Sequence, residues 1–292
     1  MNKRWITLDL DGTLMQNPFG AWVFPEVAST VSRKLGREHD IVAELIAEHE
    51  KRMALRQWVA AYDWDDMLSV RCAALGVQPG VDIEALVRKH CVPPKVHLLE
   101  QGIPETLRKL RGEGFALAVV TNGFYKYQAP VMEVLGILEL FEAIITPERA
   151  GTGKPDPAIF QHLPGEVLAH VGDRLDHDVH PANQMKIVSV LIERKMPEAA
   201  KGISPYMRVR DQRVRELCTE KGRRECQNNG LQELPEQFVP RAIIHSLTEL
   251  PMVWALRIWS KIPVCLYLRF CSGLVKITLV AFERVFKQNE KS

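Results

Sequence analysis

The sequence predicts an α/β protein: a parallel sheet with helices on both faces, and a helical domain inserted near its start. Two observations carry this. From residue 103 onward, uniformly apolar runs of strand length alternate with helix-length segments. Strands that are apolar throughout belong to sheets buried on both faces. Residues 25–96 differ, since helical segments and turn signals follow one another there with no convincing strand. With 292 residues, 46% hydrophobic and 25% charged, the chain suits one large domain and a smaller partner, and excludes a disordered or collagen-like protein.

The elements follow in order. Residues 5–10 form a β-prone run ended by Gly12, with Trp5, Thr7 and Asp9 on one face and Ile6, Leu8 and Leu10 on the other. Residues 17–96 read as a helical cap, with helical segments at 41–46 and 53–55 and turns at Gly76, Pro79-Gly80 and Pro93-Pro94. A helix is expected over 104–112, with Pro104 near its start and Gly112 at its end. Strands then fall at 115–120, 143–146, 167–171 and 187–192, separated by helices at 129–135, 158–163 and 181–185. Residues 1–16 and 97–200 thus make the core. Residues 201–239 read as a basic insertion, partly disordered, with eight Lys/Arg against four acidic residues between Lys201 and Cys226. The core resumes at about 240–251 with a last strand over 241–245, and 252–292 reads as an amphipathic helical tail.

Charge and cysteine usage narrow the partners. The net charge of +2 is too close to zero to nominate nucleic acid, although residues 1–200 sum to −5 and the tail to +5. None of the six cysteines forms a CxxC pair, so neither a disulfide scaffold nor a structural zinc site is expected. The first residues reach aspartates before any long apolar stretch, so a cytoplasmic location is expected rather than export. In the tail, Arg269 and Lys276 interrupt the apolar run 262–282. A charge at mid-bilayer is costly, so residues 262–287 are expected to dock on the protein, on a second copy or on a membrane surface.

Four segments stand at the ends of expected strands, the edge where open parallel sheets bind ligands. They are Asp9-Leu10-Asp11-Gly12-Thr13, Thr121-Asn122-Gly123, Lys154-Pro155-Asp156, and Gly172-Asp173 with Asp178. A carboxylate such as Asp9 can attack phosphorus and divide one hard transfer into two easier ones. A second, Asp11, can protonate the leaving oxygen and later take a proton from water. Close carboxylates repel, so a divalent cation is needed, and Mg²⁺ favours their oxygens. Asp173 and Asp178 complete the acidic wall. The Thr121 hydroxyl and the backbone N–H groups near Asn122 can bind phosphoryl oxygens, with Lys154 as the opposing charge.

With these four segments the sequence resembles the haloacid dehalogenase-like hydrolase superfamily, in its phosphatase branch with a helical C1-type cap. The resemblance spans residues 4 to about 195. It implies a Rossmann-like three-layer core, a cap inserted after the first motif, and Mg²⁺-dependent hydrolysis of a small phosphorylated metabolite. It further implies Asp9 as nucleophile, Asp11 as acid/base, Thr121 and Lys154 on the phosphoryl group, and a metal held by Asp9, the Asp11 carbonyl and Asp173, with Asp178 on the metal or just beyond its ligands. The dehalogenase and phosphonate-cleaving branches lack the second carboxylate, so Asp11 favours a phosphatase or phosphomutase. The mutase cap segment, a basic Arg-x-Lys-Gly-x-x-Arg pattern, is missing from the sequence. A membrane- or partner-binding regulator with weak residual hydrolysis is the competing expectation from outside the enzymes. His177 and His180 are expected as loop or surface residues, because a hard Mg²⁺ site prefers oxygen. The cap cluster Arg52, Arg56, Trp58, Tyr62, Trp64 and Asp65 is expected in the cap's own core, with lining of the substrate pocket as the alternative.

Overall fold

A computed structural model describes residues 3–254. Six strands form one sheet: β1 (Arg4–Leu8), β4 (Ala116–Val120), β5 (Ala143–Ile145), β6 (Glu166–Gly172), β7 (Val188–Ile192) and β8 (Ala242–Ile244). The remaining pair, β2 (Met15–Gln16) and β3 (His97–Leu98), makes a separate antiparallel ribbon. The large sheet is parallel throughout and runs β5-β4-β1-β6-β7-β8. Every residue of β4 and β7 is buried. This two-sided burial is why these strands read as unbroken apolar runs rather than as alternation.

Residues 17–96 leave the sheet through β2 and return through β3. They form α1 (Phe24–Leu35), α2 (Ile41–Ala54), α3 (Trp64–Ala74) and α4 (Ile83–His90). Three aspartates set where the last three begin. Asp40, Asp63 and Asp82 each accept a backbone N–H from the first turn, at 3.0, 3.2 and 2.7 Å. Caps of this kind contribute about 0.5–2 kcal/mol each. The core helices are α5 (Ile103–Gly112), α6 (Tyr125–Val134), α7 (Pro147–Ala150), α8 (His180–Gln184), α9 (Glu198–Lys201) and α10 (Gln212–Glu225). In α5, Ile103, Thr106, Leu107 and Leu110 are buried, the i, i+3, i+4, i+7 stripe of a helix lying on a sheet. The helix expected over 129–135 starts four residues earlier, because Tyr127 and Gln128 are buried polar residues of its inner face.

The insertion departs from expectation. Residues 201–239 are ordered, with α10 as their main element. Asp211 caps α10, and Val214 and Cys218 pack one turn apart against Leu175, Val179, Leu191 and Ile243. That two-residue stripe is hidden among ten flanking charges and amides in the sequence, but burial needs no more than one face. Arg208 anchors the insertion. It is 1% exposed, donates to Glu249 at 2.6 and 2.7 Å, and also reaches the carbonyls of Ala200, Lys201 and Ile243.

The amphipathic helix expected over 262–287, and nearly all of 252–292, lie outside the described residues. Among the described residues no helix is long and apolar enough to cross a membrane. Arg208→Ala is expected to destabilise the protein by about 3–5 kcal/mol, because the buried Glu249 loses its guanidinium partner and keeps only His245 beside it. Urea denaturation measures this, and a loss below about 1 kcal/mol would contradict the anchoring role.

Candidate active site

Register places the chemistry. Leu8 of β1 pairs with Val119 on one side and Val171 on the other. The residues that follow these strands therefore emerge at one edge, and Asp9 N–H still donates to Val171 O at 2.9 Å. A tight turn follows, in which the Leu10 carbonyl accepts from Thr13, Leu14 and Met15. Gly12 has φ 78°, and a Cβ there would lie 2.6 Å from Asp173 Oδ2. Only glycine fits the turn on both counts.

Lys154 is the hub. Its Nζ donates to Asp9 Oδ1 and to Asp178 Oδ1, both at 2.6 Å. Its backbone is gripped by Asn122, whose Oδ1 accepts Lys154 N–H and whose Nδ2 donates to Lys154 O, each at 2.8 Å. Asp178 also accepts from His170 Nε2 at 3.0 Å and from Arg174 N–H at 2.9 Å. A Cβ at Gly172 would lie 2.1 Å from the Asp178 carboxyl carbon, so glycine is required there too.

Burial opposes all these charges. It pushes Asp9 up to about 6, against the pull of Lys154, so Asp9 stays largely anionic at neutral pH. Burial, with the charges of Asp178 and Asp9, raises Asp173 to about 8. Burial would raise Asp178 as well, but Lys154 and His170 hold it well below the usual carboxylate range. Lys154 stays above its ordinary value despite burial, because Asp178 and Asp9 flank it.

A family model described as haloacid dehalogenase-like hydrolase matches residues 3–185. The chain belongs to the haloacid dehalogenase-like hydrolases. Glyceraldehyde 3-phosphate phosphatase of Methanocaldococcus jannaschii is 35% identical over 94 residues, covering 30% of this chain and 41% of that protein. Haloacid dehalogenase-like hydrolase domain-containing protein 3 of Homo sapiens is 35% identical over 128 residues, covering 40% and 48%. The chain spans about half the length of the curated relatives it matches. Among solved structures, a HAD phosphatase from Thermococcus onnurineus superposes with TM-score 0.59 at 24% identity, over 87% of this chain and 98% of that one. The putative HAD-hydrolase YfnB of Bacillus subtilis, bound to magnesium, gives 0.51 at 15% identity, over 87% and 99%. These structural likenesses concern the fold.

In this haloacid dehalogenase-like hydrolase, Asp9, Asp173 and Asp178 place one carboxylate oxygen each within 4.8 Å of one another. The donor set is all hard oxygen, and burial together with its carboxylate neighbours raises Asp173, so the residues fit a Mg²⁺ ion. The Asp11 carboxylate stands apart from that cluster. Asn17 Nδ2 and Gln128 Nε2 hold its two oxygens at 2.7 and 2.6 Å, which leaves its backbone carbonyl as the group that could serve a metal. Thr121 Oγ1 accepts from Gly123 N–H and Gln128 Nε2, both at 3.3 Å, so its own proton points to another acceptor. The Asn122 side chain is spent on Lys154 and on Tyr62 Oη at 2.9 Å, so only its backbone N–H can meet a ligand.

These groups open into a cavity of about 1100 Å³. Sequence reasoning missed Asn17, Gln128, His170 and the Tyr62 contact, since none lies in a strand-end segment. Tyr62 and Trp64 line the cavity while also packing on His49 of the cap, and Arg52 is buried between Glu48 and Asp66. His177 also departs from the expected surface role: it lines the cavity, and burial pushes it down to about 4. His180 stacks on Phe238 at 4.7 Å.

The raised carboxylates give a signed pH dependence. Between their unfolded value of 3.8 and about 6 and 8, Asp9 and Asp173 hold more protons folded than unfolded. The cation-free protein therefore loses stability as pH rises through that window. Asp178, held low, contributes constantly there and loses its share only under more acidic conditions. Mg²⁺ competes with these protons, so its increment in Tm is expected to be larger at pH 8 than at pH 5.5. Equal increments at the two pH values would contradict the assignment.

Proposed function

We propose that the protein is a Mg²⁺-dependent phosphatase that hydrolyses a small phosphate monoester through an aspartyl-phosphate on Asp9. One observation carries this reading: two buried carboxylates two residues apart are held by different kinds of partner. Asp9 is paired with an ammonium and stays anionic, which suits a nucleophile. Asp11 is held by neutral amides and raised by burial, which suits a proton donor.

The Asp9 carboxylate attacks phosphorus as the ester P–O bond breaks, and the Asp11 proton passes to the leaving oxygen. Water then attacks the aspartyl-phosphate. Asp11 takes the water's proton, the bond to Asp9 breaks, and phosphate leaves with both carboxyl groups restored. Lys154, the Thr121 hydroxyl and the Asn122 N–H take the phosphoryl oxygens. Asp9, Asp173 and the Asp11 carbonyl would hold Mg²⁺, with Asp178 bracing Lys154 beside them. The ion when bound supplies charge neutralisation for the phosphoryl group.

The relatives support a phosphomonoester substrate. Beside the glyceraldehyde 3-phosphate phosphatase they include a phosphoserine phosphatase of Thermus thermophilus, 31% identical over 113 residues. Asp11 favours this chemistry over dehalogenation, because a departing halide needs no proton.

Phosphate release from a panel of phosphorylated metabolites tests the reading. Turnover is expected to require Mg²⁺, to stop with a chelator, and to fall about 10³-fold or more in Asp9→Asn with the fold intact. Turnover persisting in that variant would sink the mechanism.

A further inference from the structure

The two amides on Asp11 belong to none of the four strand-end segments. Gln128 comes from the first turns of α6, 117 residues further along the chain, and is 3% exposed. Space has been made for it. Gly123 does not adopt a left-handed backbone, yet a Cβ there would lie 2.2 Å from Gln128 Nε2. Any other residue at 123 would push the amide off Asp11. Asn17 lies just past β2, on the strand of chain that leads into the cap. Its Oδ1 accepts Phe19 N–H at 3.0 Å, which turns its Nδ2 towards Asp11 Oδ1.

We propose that Asn17 and Gln128 are positioning residues that clamp Asp11 in the one orientation from which it protonates the leaving oxygen. The inference rests on the phosphatase reading above. One N–H on each oxygen, at 2.7 and 2.6 Å, fixes the carboxyl plane. A carboxyl group free to rotate would meet the leaving oxygen in only a fraction of its orientations, and misplacement by about 1 Å can cost ~10²-fold. Gln128 Nε2 also reaches Thr121 Oγ1, so the clamp ties the proton donor to the hydroxyl that faces the phosphoryl group.

The test compares phenyl phosphate with p-nitrophenyl phosphate, two esters of similar shape. Phenolate is the poorer leaving group and needs the proton more. In Gln128→Met, kcat/KM, which reports only the steps up to the aspartyl-phosphate, is expected to fall about tenfold further on phenyl phosphate than on p-nitrophenyl phosphate. Asn17→Asp keeps the bond to Phe19 but replaces the donor with a like charge, and is expected to show the same preference. It sits at a half-buried position and decides the matter if Gln128→Met does not fold. Equal losses on the two esters, or none on either, would overturn the clamp alone. A wild-type protein that hydrolyses neither ester would overturn the phosphatase reading and the clamp with it.

Discussion

The ammonium of Lys154, buried between Asp9 and Asp178, is the constraint on which the site depends. Removing such a charge from water costs several kcal/mol, and only a close pair of carboxylates with complete hydrogen bonding offsets that. Each partner is therefore itself fixed. Burial lowers His170, whose Nε2 donates to Asp178, while its Nδ1 lies 2.9 Å from the Thr7 hydroxyl, which itself donates to the Ala169 carbonyl at 3.0 Å. Thr7 sits inside β1 and His170 inside β6, which makes the ion pair an extension of the sheet's own register. The same arrangement keeps Asp9 largely anionic in a place where burial alone would neutralise it.

What was legible in the sequence is what is local. The strands β4 and β7 declare themselves because both of their faces are covered, and the four strand-end segments because each is a few contiguous residues at a turn. What was not legible is assembled from a distance. Gln128 carries no signal of its own, being one amide on a mixed polar and aromatic helix, and its purpose exists only once Asp11 lies beside it. His170 looks like an interruption of an apolar strand until Asp178 is placed opposite. The order in 201–239 was hidden for another reason. Its average is polar, but the average conceals Val214 and Cys218, which need only one narrow face to reach the core.

That insertion bears directly on the site. Glu225, the last residue of α10, accepts the backbone N–H of Leu175 at 2.7 Å, and Lys221 beside it bonds Glu225 at 3.0 Å. Leu175 lies between Asp173 and Asp178, so the segment carrying both carboxylates is held from outside the sheet as well as from within. Gly222 leaves room for the Leu231 and Leu234 side chains at this point of α10. The basic character of the region is largely internal: Arg213 pairs with Asp211, Arg215 with Glu233, and Arg224 with Glu220.

The cap meets the site through two amides with unequal consequences. Asn122 joins Tyr62 to Lys154, but three of its bonds differ in what they hold: two grip the lysine backbone and one reaches the cap. The two bonds on the lysine backbone do not pass through Tyr62, so that grip does not rest on the cap residue. Asn17 works the other way. It lies on the connection into the cap, and its single donor bond is to Asp11. Gln128 holds the other oxygen from α6, which is itself tied to Asp65 of the cap through Lys126 and Tyr127. Asn17 thus ties Asp11 to the connection into the cap, while Asn122 holds the Lys154 backbone by bonds that do not involve that connection.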